Sequence, residues 1–95
     1  MNIVVLDGRK MTDRDATHLY LQKKLNLPDY YGKNLDALYD CLCEMGKPVQ
    51  IIVSYVQEMQ DNMRRYADSL LNTLEAAGEK NPNVSVIIEE LVDEL

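Results

Sequence analysis

Val49-Gln50-Ile51-Ile52-Val53 lies midway along a chain of 95 residues, and its reading decides the fold. Three adjacent β-branched residues behind Pro48 read as a strand, since proline bars a helix from running into it. A comparable run stands on each side. Ile3-Val4-Val5-Leu6, closed by Asp7-Gly8, reads as a buried parallel strand followed by a turn, and Val84 to Ile88 supplies the third.

The spacers read as helices. In the first, Thr12 with Asp15 suggests a capped start, Thr17, Leu21 and Leu25 share one face, and Pro28 ends the run. Asn34 is a good cap for a second helix, with Leu35, Leu38 and Leu42 repeating behind it and Gly46 closing it. Beyond the central strand, Ser54 and Gln57 suggest a capping box for a helix to about Asp61. Ala67, Leu70, Leu71 and Leu74 then form an apolar stripe that Gly78 stops, and residues 79–83 form a loop. The order is β-α-α-β-α-α-β. Long helical crossovers dictate parallel pairing with right-handed connections. The expected architecture is an α/β domain in which four helices cover a three-stranded parallel sheet. Residues 1–95 make one domain, with 89–95 as an acidic C-terminal extension.

Sixteen Asp and Glu against ten Lys and Arg leave a net charge of −6. That balance argues against nucleic-acid binding, which needs a basic patch, and favours fast capture of a basic partner. No stretch approaches membrane-spanning length, and the N-terminal apolar run is too short for a signal peptide. On a helix, Cys41 and Cys43 point about 200° apart and cannot bridge each other, and neither fits a metal-binding pattern. The expectation is a cytoplasmic protein with reduced thiols, no metal and no cofactor.

The most informative segment is Leu27-Pro28-Asp29-Tyr30-Tyr31-Gly32-Lys33-Asn34-Leu35-Asp36-Ala37-Leu38-Tyr39-Asp40-Cys41-Leu42. At about 100° per residue, Leu35, Leu38, Cys41, Leu42 and Met45 share a core-facing arc. Asp36 and Asp40 lie together outside it, Cys43 falls between them, and Tyr39 sits at the seam. Like charges at i and i+4 repel by a few tenths of a kcal/mol. The helix N-terminus offsets this for Asp36 more than for Asp40. Two readings stand at this point: an ordinary solvated helix face, or a surface awaiting a cationic partner. Catalysis is disfavoured. Two carboxylates on one helix face cannot readily flank a bond, and no nucleophile–base pair or phosphate-cradling glycine loop accompanies them.

That segment resembles the signature of the barstar family, intracellular inhibitors of the secreted ribonuclease barnase, with weaker similarity from Ile3 to about Ile88. The resemblance implies an inhibitor with no small-molecule substrate, whose partner is a basic, extracellular-type, barnase-like ribonuclease. It implies that Asp40 plugs the pocket for the substrate's phosphate and that Asp36 pairs with partner arginine or lysine. Tyr30 would pack by the catalytic histidine, while Gly32, Asn34, Leu35, Tyr39 and Cys43 line the contact. It further implies a cis bond at Lys47-Pro48. The family's signature tryptophan is Tyr39 here, a second contact tryptophan is Met45, and its second cysteine is Pro82. An outlying contact glutamate aligns with Ala76, leaving Glu75 beside it as the candidate. These departures touch the rim of the contact and leave room for a barstar-like module with a non-nuclease basic partner. His18 is expected at the surface or its boundary, Cys41 in the core, Arg64-Arg65 at a helix end or facing solvent, and the tail acids in solvent; for Cys43 exposure is left open.

Overall fold

The structure, a computed structural model, describes residues 2–89. β1 (Asn2–Asp7), β2 (Val49–Ser54) and β3 (Val84–Ile88) form a parallel sheet in the order β1-β2-β3. Val4 pairs with Ile51 and Ile51 with Val86, so β2 is central. A 3-10 turn at Gly8–Lys10, α1 (Arg14–Lys24) and α2 (Leu35–Cys43) cross from β1 to β2; α3 (Val56–Met63) and α4 (Arg65–Lys80) cross from β2 to β3. The order is the one expected, β-α-α-β-α-α-β.

The helices cover one face of the sheet. Val4, Leu6, Ile51, Val53 and Val84 are buried there with Leu21, Leu38, Leu42, Met59, Leu70 and Leu74. On the other face Ile3 is 59% exposed, and Val5 and Ile87 are exposed as well. The expectation that Ile3 to Leu6 is wholly buried is thus corrected. Strand side chains alternate, and among the described residues only one side carries helices.

Helix ends depart most from the sequence expectations. Asp13, not Thr12, caps α1, accepting from Ala16 N at 2.8 Å. α1 stops at Lys24, ahead of Pro28, because Asn26 turns left-handed at φ 52°. Glu44 ends α2 before Gly46 is reached. Ser54 completes β2 in place of capping α3, whose first turn follows Tyr55 at φ 54°. α4 runs through Gly78 to Lys80, since Leu74 and Ala77 keep packing into the core. The loop before β3 therefore shortens to 81–83. Gly8 has a strict reason to be glycine: an added Cβ would lie 2.0 Å from the Tyr55 carbonyl oxygen. Lys47–Pro48 is trans, with no cis bond among the described residues. Trans is the default even before proline, and here it lets the Pro48 carbonyl accept from Asn2 N (3.3 Å) where the β1–β2 ladder begins. Of the acidic extension, residues 90–95 lie outside the described residues. Glu89 N still donates to Val53 O (2.8 Å).

Candidate acidic docking face

α2 carries the candidate face, and an asparagine holds each end. Asn34, in extended backbone, accepts from Ala37 N at 2.8 Å, which satisfies one of the orphan amides of the first turn. Its amide nitrogen donates to Gly32 O (3.3 Å), and Lys33 takes the left-handed turn between them at φ 56°. At the other end, buried Asn81 reaches over from the loop after α4. Its Nδ2 donates to the carbonyls of Leu42 (2.9 Å), Met45 (3.0 Å) and Cys43 (3.3 Å). Asn83 adds a bond to Met45 O at 3.1 Å. Carbonyls that end a helix lack partners within it, so these bonds fix where α2 stops.

The loop ahead of α2 is anchored from below. Tyr31 N donates to Pro28 O (2.9 Å), and Gln22 Nε2 binds the same carbonyl (3.0 Å). Tyr31 is buried, and its hydroxyl meets His18 Nδ1 at 2.6 Å; Tyr66 Oη meets the other ring nitrogen. Burial raises the Tyr31 phenol pKa well above its ordinary value and lowers that of His18. His18 is only 2% exposed, which corrects the surface or boundary placement. Its partners lie 13 and 48 residues away, so neighbouring residues carry no sign of the contact.

Above these anchors the face points outward. Tyr30 is 84% exposed, and Gly32, Asn34, Asp36 and Asp40 are exposed too. Leu35, Tyr39 and Cys43 are half-buried beside them, so one loop and one helix gather eight of the expected contact residues. Asp36, Tyr39, Asp40 and Cys43 follow at i, i+3, i+4 and i+7, a continuous stripe along the helix. Neither aspartate forms a hydrogen bond or ion pair through its carboxylate with any described residue. A hydrogen bond to the Cys43 thiol raises the Tyr39 phenol pKa, as does Asp40's charge. Burial raises that of Cys41, with the charges of Glu44 and Asp40 adding to it. Cys41 is half-buried, short of the core position expected, because α2 is a surface helix.

Glu75 is exposed on α4, in a groove with Gly78, Pro82 and Ser85 that includes no residue of α2. Met45, at the position of a family contact residue, packs half-buried against the core. Asn81 is the functional residue that sequence does not reveal: it is one polar loop position among several, and its partners lie 36 to 39 residues away. Among the described residues no cluster of His, Cys, Asp and Glu could hold a metal ion, and no helix is long and apolar enough to cross a membrane.

Comparison with known proteins identifies the family. Residues 1–89 match the family described as Barstar (barnase inhibitor). A protein of Bacillus subtilis (strain 168) named "Putative ribonuclease inhibitor YrdF" is 34% identical over 91 residues, covering 94% of this chain and 100% of that protein. A family match over residues 1–89 and a relative 34% identical over its whole length show that this chain belongs to the barstar family.

Proposed function

We propose that the chain inhibits a basic, barnase-type ribonuclease by laying α2 and the loop before it into the enzyme's active-site groove. The carrying observation is the pair Asp36 and Asp40: side by side, exposed, and without a cation of the described chain to neutralise them. An RNA-cleaving pocket must offer cationic groups to phosphate. Fixed carboxylates meet those groups with charge-assisted hydrogen bonds and no hydrolysable bond. Asp40 is the central plug, Asp36 pairs with arginine or lysine beside it, and Tyr30 adds an aromatic contact at the rim. Net charge of −6 steers approach to a basic enzyme. Free Cys41 and Cys43 suit a reducing cytoplasm, where such an inhibitor would guard RNA.

Titrating the chain into a barnase-type ribonuclease while following RNA cleavage tests this. Stoichiometric loss of activity is expected, weakening as salt rises. Undiminished cleavage by cognate and related enzymes alike would remove the proposal. A second reading, a non-nuclease basic partner on the same face, draws on the rim: Met45 is folded inward and Glu75 stands in a separate groove. A pull-down returning a basic protein without nuclease activity would favour it.

A further inference from the structure

The chain also has a basic cleft, opposite in sign to the α2 face. Between the start of α1 and the junction of α3 with α4 lies an open cavity of about 480 Å³, with Arg14, Arg64, Arg65, Asn62, Tyr66 and Asp13 among its walls. Three of the chain's ten Lys and Arg residues therefore meet here, in a protein with sixteen acids. No described carboxylate pairs with any of the three. Asp13 also stands in the wall, where one of its oxygens accepts the Ala16 amide (2.8 Å), and its single negative charge leaves the three guanidiniums in excess. Arg14 is fixed in place with its guanidinium 4.4 Å from the centre of the Tyr66 ring. Arg64 holds φ 57° and ψ −123°, backbone that glycine adopts freely and other residues resist. An arginine therefore stands where its own main chain would favour glycine. α4 starts at the same place with no side-chain cap, so its dipole adds positive potential.

We propose that this cleft binds a phosphate group, free or carried on a small molecule such as a nucleoside monophosphate, with Arg14, Arg64 and Arg65 as donors. Guanidinium forks match phosphate oxygens two at a time, and a cavity of this size accommodates a small ligand. The inference is independent of the α2 face and stands or falls separately.

Calorimetric titration of the full chain at low salt, with inorganic phosphate, adenosine monophosphate and adenosine, tests it. Saturable one-to-one binding of phosphate or the monophosphate is expected, and none of adenosine. Equal affinity for the first two assigns the site to the phosphate group alone; tighter monophosphate binding adds the nucleoside. Arg64→Gly should weaken binding about tenfold or more while leaving Tm equal or higher, because the strained residue becomes glycine. Arg65→Gln, at unchanged Tm, should weaken it similarly. The proposal is overturned if neither phosphate compound saturates below about 10 mM, if adenosine binds as well as its monophosphate, or if both variants bind like the parent.

Discussion

Replacing Asp40 with alanine is expected to make the free protein more stable and the inhibitor far worse. α2 spans only Leu35–Cys43, so Asp40 lies in its last turn, where no basic residue offsets the negative end of the helix dipole. A carboxylate there costs about 0.3–1 kcal/mol. Repulsion from Asp36 one turn back adds about 0.2–0.5 kcal/mol. Asp also trails Ala in helix propensity by up to about 0.7 kcal/mol. No hydrogen bond or ion pair of the carboxylate to a described residue opposes these terms. Discounted for screening, the sum is about 1 kcal/mol of stabilisation, or a rise in Tm of about 4–8 °C for a domain of this size. Within a complex the balance reverses. Removing one partner of a desolvated ion pair costs about 3–5 kcal/mol, which raises Kd by about two to three and a half orders of magnitude. Differential scanning calorimetry of the free variant, together with a cleavage-inhibition titration, reads both quantities. Asp40→Asn separates charge from propensity and should keep only the charge-derived part of the Tm gain, since Asn and Asp have similar helix propensities. A lower Tm for Asp40→Ala would show that the residue serves the fold, and inhibition within about threefold of the parent would show that it is not the plug.

Asn81→Ala should destabilise by about 2–4 kcal/mol, because three carbonyls at the end of α2 lose a buried donor; urea unfolding measures it, and inhibition should weaken as α2 loosens. Asn34→Ala, removing only the cap at the other end, should cost about 1 kcal/mol by the same method. Burial holds the His18 pKa below 6.5, so the unfolded chain takes up its proton first. This contribution to stability is whole above about pH 6.5 and shrinks as pH falls through the folded-state value. Urea midpoints at pH 7.5 and 5.5 should differ for the parent, and the difference should narrow in His18→Gln. Gly8→Ala should fail to fold or lose several kcal/mol, judged by circular dichroism, because its Cβ would collide with the main chain at Tyr55.

What the sequence disclosed, and what it hid, divides by range. Asn34 was legible as a cap because the amide it serves belongs to Ala37, three residues on. The three strands were legible because β-branched runs are local, and parallel pairing follows from the length of the helical crossovers. His18 is misplaced by sequence, and the role of Asn81 in its loop is invisible there, because each meets partners that only the finished fold brings near. Helix ends failed for another reason: several residues near each end are suited to stopping a helix, and packing selects among them. Gly78 would end an isolated helix, yet Leu74 and Ala77 on the same stripe are worth more buried than the glycine costs. The acidic pair was visible at once because it opposes local physics. Folding accounts for a buried leucine or a capping asparagine, but it gains nothing from Asp40 at the negative end of a short helix beside another aspartate. Under the proposed function that local cost has a use: on a helix held by asparagines at both ends, Asp40 stands fixed where a cationic partner would meet it.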